Sequence, residues 1–216
     1  MGWFILCGAV VVLMAANVVW RFLSRRRNLP CPTWLSWGLE KPFLVWLLGT
    51  HTTIEQLDLQ SGQRVLEIGP GPGRLLLPAA RRVLPGGRAV GVDLQPGMIE
   101  HLLQNAKTAD LSNVEGVVAD AATMDLPTAS FDVVIIALTL GEIPKREEAL
   151  RRVFLALKPG GLLSVTEVFP DPHLTRRSTV RRLAEAAGFE HKCIQGWAIR
   201  FNAQFMKPAR RVSCNN

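Results

Sequence analysis

Apolar positions along this chain gather into short, nearly unbroken runs at residues 65–68, 89–92, 114–118, 131–137 and 162–168. Runs of that length with little polar alternation read as strands buried on both faces, the habit of a parallel sheet. Between them the period changes to that of helices. In residues 145–157, Leu150, Val153, Phe154 and Leu157 fall on one face with charges opposite, so this segment is predicted as an amphipathic helix lying on the sheet. Lys158-Pro159-Gly160-Gly161 stops it, because proline cannot continue a helix and glycine supplies a stop. Helix-like segments at 74–84, from about 96, and at 178–187, with two late strand-like runs near 192–196 and 198–206, complete the pattern. It predicts an α/β fold: a doubly wound, seven-stranded, mostly parallel sheet of Rossmann-like form.

The first strand ends in Glu67-Ile68-Gly69-Pro70-Gly71-Pro72-Gly73-Arg74, three alternating glycines at the place where open α/β sheets bind nucleotides. Glycine there permits positive φ and close approach of a ligand. A dinucleotide fingerprint would require glycine at position 74, where arginine stands, and Pro70 and Pro72 offer no N–H to a pyrophosphate. A nicotinamide cofactor is therefore disfavoured against a less anionic nucleoside. Asp93, about twenty residues on and at the end of the second strand, reads either as a ribose ligand or as a cap for the helix starting near Pro96.

The pattern E-x-G-x-G-x-G at 67–73, together with Asp93, Asp120 and K-P-G-G-x-L at 158–163, resembles class I S-adenosylmethionine (SAM) dependent methyltransferases, of the type 11-like group that acts on small molecules and lipids. The resemblance covers about residues 43–208. It implies SAM as cofactor, held by Glu67, Gly69, Gly71, Gly73, Asp93, Leu94, Asp120, Ala121, Ala137 and Leu138, with Asp120 at the adenine amino group. It also makes 138–144 the active-site loop and places Glu142 near the methyl group, as proton acceptor or partner of a cationic headgroup. The plainer reading of Glu142 is an acid favoured by a helix N-terminus. Cys7, Cys31, Cys193 and Cys214 have no paired spacing and the four histidines are scattered, so no metal site is expected.

Ahead of this domain, residues 3–20 carry no charge and as a helix would reach roughly 27 Å. With Phe22 and Leu23 that approaches the bilayer's hydrocarbon core of about 30 Å. Trp3 and Trp20 mark its ends, no basic residue precedes it as in a signal peptide, and Arg21, Arg25, Arg26 and Arg27 follow it. One transmembrane helix is thus expected at 1–23, a basic, Pro- and Trp-bearing linker at 24–42, the methyltransferase domain at 43–208 and a tail at 209–216. The positive-inside rule puts the N-terminus outside and the domain in the cytoplasm. Residues 43–48 read equally as a membrane-resting segment or as the first helix on the sheet.

The net charge of +7 is uneven: +2 over residues 1–60, −3 over 61–144 and +8 over 145–216. Arg176, Arg177, Arg181 and Arg182 form either a ridge toward anionic headgroups or a solvated helix face. No nucleic-acid partner is expected, since no RNA-binding module is visible and the loop after the fourth strand lacks an N-P-P-Y-type pattern. The expected partners are membrane lipids and a lipid-like acceptor, a phospholipid amine or a quinone. A soluble hydrophobic metabolite or thiol, and a SAM-binding scaffold without turnover, are the competing expectations.

Overall fold

The computed structural model describes residues 48–169 and 171–209. The expected anchor and linker, residues 43–47 and most of the tail lie outside the described residues. Among the described residues no helix is long and apolar enough to cross a membrane.

In chain order the elements are α1 (Thr50–Gln56), β1 (Arg64–Ile68), α2 (Leu76–Arg82), β2 (Arg88–Asp93), α3 (Pro96–Thr108), β3 (Val114–Val118), β4 (Phe131–Ala137), α4 (Arg146–Ala156), β5 (Leu157–Val168), α5 (Arg177–Ala186), β6 (Glu190–Trp197) and β7 (Arg200–Met206). The seven strands form one sheet in the order β3-β2-β1-β4-β5-β7-β6. Five are parallel neighbours, and β7 runs antiparallel to both β5 and β6. The order reverses between β1 and β4, which is the switch point where such a sheet opens a crevice.

Side chains alternate across the sheet, so each strand feeds two cores. Leu66, Ile68, Val134, Ile136, Leu163 and Val165 meet α4 and α5 on one face. Val65, Ala89, Val133, Ile135 and Leu162 meet α1, α2 and α3 on the other. On β5 and β7 the interior turns polar: Ser164, Thr166, Asn202 and Gln204 are all buried. Each has a hydrogen-bond partner inside the fold. The Asn202 amide donates to Ser164 Oγ at 2.7 Å and Thr166 Oγ1 at 2.9 Å, and Gln204 donates to the Gln56 carbonyl at 2.8 Å, tying α1 to the sheet.

Two boundaries differ from the sequence expectation. The fifth strand, expected at 162–168, begins at Leu157 and takes in Lys158-Pro159-Gly160-Gly161. Lys207 is the reason: Gly160 N–H donates to its carbonyl at 2.8 Å, its own N–H donates to Gly161 at 2.9 Å, and its ammonium donates to the Phe154 and Leu157 carbonyls at the end of α4. The second helix starts at Leu76 rather than Arg74, because residues 71–75 are spent in turns.

Candidate cofactor and active site

At the C-terminal ends of β1, β2 and β4 a cavity of ≈ 290 Å³ opens, and Glu67, Gly69, Gly71, Asp93, Leu94, Asp120, Ala121, Ala137, Leu138 and Glu142 all line it. Gly73 does not. A Cβ at Gly73 would lie 2.7 Å from Leu77 and 2.8 Å from Leu102, so this glycine lets α2 and α3 pack rather than facing a ligand. Gly71, at φ +53°, has nothing within 4 Å of its missing Cβ and leaves that side open to the cavity. Gly69, at φ +67°, lets the Thr139 side chain come where a Cβ would clash, at 2.4 Å.

Glu67 is 2 % exposed and its Oε2 has no hydrogen-bond partner. Burial pushes its carboxyl up to about 8, against the pull of the Arg74 guanidinium and the Leu76 N–H. Arg74, which the sequence offered only as a missing glycine, lines the same cavity and donates to Thr50 Oγ1 at 2.8 Å. Burial lowers its pKa from the ordinary arginine value and Glu67 opposes that. Together they present one acid and one base to a zwitterion.

Asp93 is also raised by burial, opposed by N–H groups of Gln95, Gly71 and Leu94. Its Oδ1 accepts from Gln95 N–H at 2.9 Å, yet the N-cap of α3 is Gln95 and no side chain caps that helix. Asp93 therefore braces the glycine loop against the loop after β2, with its carboxylate on the cavity wall. Asp120 Oδ1 accepts from Ala122 N–H at 2.8 Å.

The loop after β4 begins with a strained residue: Leu138 sits at φ +61°, held by its N–H on the Thr166 carbonyl at 2.9 Å. Glu142 and Ile143 follow on the cavity wall, and Arg146 grips the Gly141 and Ile143 carbonyls at 2.9 and 3.2 Å. Residues 171–175 cross this loop so closely that a Cβ on Gly141 would lie 1.8 Å from the His173 carbonyl. Asp171, from that segment, reaches the cavity. Beneath it Glu167, 1 % exposed, accepts from Thr175 N–H at 3.1 Å. Burial, with a contribution from the Asp171 charge, pushes Glu167 up to about 8, while Thr175 and Arg146 oppose.

Arg74, Asp171 and Glu167 were not among the residues picked from sequence. For Glu167 a signal existed: like Glu67, it is a lone acid near the end of an apolar strand.

These residues suit SAM. The unpaired Glu67 oxygen and Arg74 match the ammonium and carboxylate of its amino-acid end, Asp93 matches ribose hydroxyls, and Leu94, Met98 and Ala121 offer apolar surface to a base. Sheet order, glycine loop and carboxylate placement resemble those of SAM-dependent methyltransferase domains. Residues 65–161 match the family model described as a methyltransferase domain. Aklanonic acid methyltransferase DauC of Streptomyces sp. is 39 % identical over 106 residues, 49 % of this chain and 48 % of that protein. The ubiquinone/menaquinone biosynthesis C-methyltransferase UbiE of Pseudomonas entomophila is 38 % identical over 119 residues, 53 % of this chain and 45 % of that protein. The chain thus spans about half the length of the curated relatives it matches. A SAM-dependent methyltransferase from Aquifex aeolicus shares the fold at TM-score 0.76 and 20 % identity, over 82 % of this chain and 100 % of that one. The [4+2]-cyclase SpnF also shares it, at TM-score 0.66 and 21 % identity, over 74 % and 80 %.

Proposed function

We propose that this chain is a membrane-anchored methyltransferase that transfers the SAM methyl group to a lipid-like acceptor. The observation that carries the proposal is the polarity of the cavity from end to end. Its cofactor end holds Glu67, Arg74 and Asp93, and its far end is walled by Leu138, Ile143 and Pro144 with the acids Glu142 and Asp171. Bound SAM supplies an electrophilic methyl group on a positively charged sulfur. The protein's part is to hold an acceptor in line and keep water out. Leu138 and Ile143 do this for an apolar molecule, and Glu142 takes a proton from an acceptor hydroxyl, amine or activated carbon, or faces a cationic headgroup.

The uncharged stretch at 3–20 and the arginines at 21–27 support a tether to the cytoplasmic face, and a tether suits an acceptor that does not leave the bilayer. The relative named for ubiquinone and menaquinone biosynthesis supports an isoprenoid-type acceptor. The relative named for aklanonic acid supports a second reading, methylation of a soluble hydrophobic metabolite. Because the same fold serves a cyclase, turnover itself has to be measured. The test is S-adenosylhomocysteine release by the full chain with membrane extract, its lipid fraction and its aqueous fraction, and mass spectrometry for a lipid heavier by one methylene. Release with the lipid fraction is expected. Release with the aqueous fraction alone selects the second reading, and SAM binding without release in any fraction overturns both.

A further inference from the structure

We infer that the tip of the β6–β7 hairpin, with the end of β5, is a bilayer-contacting surface that seats the cavity's edge of the sheet on anionic lipid headgroups. The choice of partner rests on the membrane reading proposed above; the surface itself is a separate observation. Trp197 is 82 %, Ile199 65 % and Phe169 56 % exposed, large apolar side chains that a water-facing turn does not need. They are neighbours, since Phe169 N–H donates to the Ile199 carbonyl at 2.7 Å and Trp197 pairs across the hairpin with Arg200.

Charge completes the surface. Residues 191–200 contain no acid. Arg177 reaches the tip by donating to the Gly196 carbonyl at 2.6 Å, with its guanidinium over the Phe201 ring, and exposed Arg176 precedes it at the start of α5. Arg200 stands at the base of the tip. The acid facing this corner from the adjoining segment is half-buried Asp171, whose Oδ1 accepts the His173 N–H. Apolar side chains ringed by arginines, with a tryptophan outermost, match the boundary between headgroups and acyl chains.

The polypeptide arrives at the same corner. A Cβ on Gly49 would fall on the Arg200 guanidinium, so the described part of the chain, which starts at residue 48, starts beside the tip. An apolar segment at 3–20 and the hairpin would then hold the domain at two points. The cavity opens along the edge of the sheet they share, which lets an acceptor pass from bilayer to cavity without crossing bulk water.

The test uses the full chain in phosphatidylcholine vesicles containing phosphatidylserine and a photoactivatable phosphatidylcholine, with adducts mapped by mass spectrometry. Adducts on the peptides carrying Phe169 and 196–200 are expected, besides those on 3–20. The double variant Trp197→Ser, Ile199→Ser should lose the hairpin adducts while keeping those on 3–20 and its SAM affinity by calorimetry. Omitting phosphatidylserine should cut hairpin adducts roughly fivefold for each arginine engaged. Adducts confined to residues 1–27 overturn the inference. So does a hairpin covered by residues 28–47 or by a second copy, seen as protein cross-links in place of lipid adducts. Hairpin adducts without lipid methylation overturn the proposed acceptor and leave the surface standing; lipid methylation without hairpin adducts does the reverse.

Discussion

Glu67, near the end of β1, and Glu167, near the end of β5, stand on strands of one sheet with β4 between them, both almost fully buried and both pushed up to about 8, yet they face different fates. Glu67 has an open cavity beyond its unpaired oxygen and a guanidinium alongside, whereas Glu167 is roofed by residues 171–175 and holds Thr175. The first is a buried acid awaiting a charged partner from outside. The second, like the first, takes one backbone N–H and keeps one oxygen without a partner, but it does not line the cavity. Burial alone therefore does not tell a binding acid from a structural one; what lies beyond the unpaired oxygen does.

The widest gap between the two should appear on replacement by glutamine. Glu67→Gln is expected to weaken SAM binding about 10- to 100-fold above pH 8, the loss of a hydrogen bond to a charged group. Glu167→Gln should leave the affinity within about twofold, and calorimetry reads both. Equal losses would erase the distinction. Next comes pH. Below about 8 Glu67 is protonated in the free protein, and an ammonium prefers it ionised, so SAM affinity should climb by up to about tenfold per pH unit toward 8 and then level off. The climb should vanish in Glu67→Gln and persist in Glu167→Gln.

Stability sharpens the pair further. Both folded-state pKa values lie above the ordinary carboxylate value, so in the absence of SAM the stability they confer is present at about pH 4.5 and is lost as pH rises toward 8. Thermal unfolding should show Tm falling across that window, less steeply in either glutamine variant. SAM should remove the Glu67 share of the slope only. Gly141→Ala, which drives a Cβ into the His173 carbonyl, should cost about 1–3 kcal/mol by urea unfolding and lift Thr175 off Glu167, with SAM affinity spared. Thr175→Val keeps the backbone N–H on Glu167 and should cost no more than about 1 kcal/mol.

Legibility in the sequence followed range. The strands, the glycine loop and Asp93 were readable because each is encoded within a few consecutive residues. For Gly73 the spacing that suggests a ligand equally serves the packing of α2 against α3, and only the positions of Leu77 and Leu102 show the second use. Arg74 entered the sequence reading only as the arginine standing where a dinucleotide fingerprint requires glycine, and its hydrogen bond is to Thr50, 24 positions earlier. Glu167 became visible as a buried acid only once residues 171–175 had folded back over Gly141. The extension of β5 through Lys158 and Pro159 was hidden for the same reason, since it requires Lys207.

That β7 lies inside the sheet has a consequence for how the chain is made. Among the described strands it is the last to leave the ribosome, and it fills the gap between β5 and β6. Until residues 200–206 have emerged, β5 presents an unpaired edge with Ser164 and Thr166 awaiting the Asn202 amide. Such an edge invites pairing with other nascent chains. A chain truncated and released just before residue 200 should therefore aggregate, and one released just after residue 207, with the clasp on Gly160 and Gly161 complete, should not.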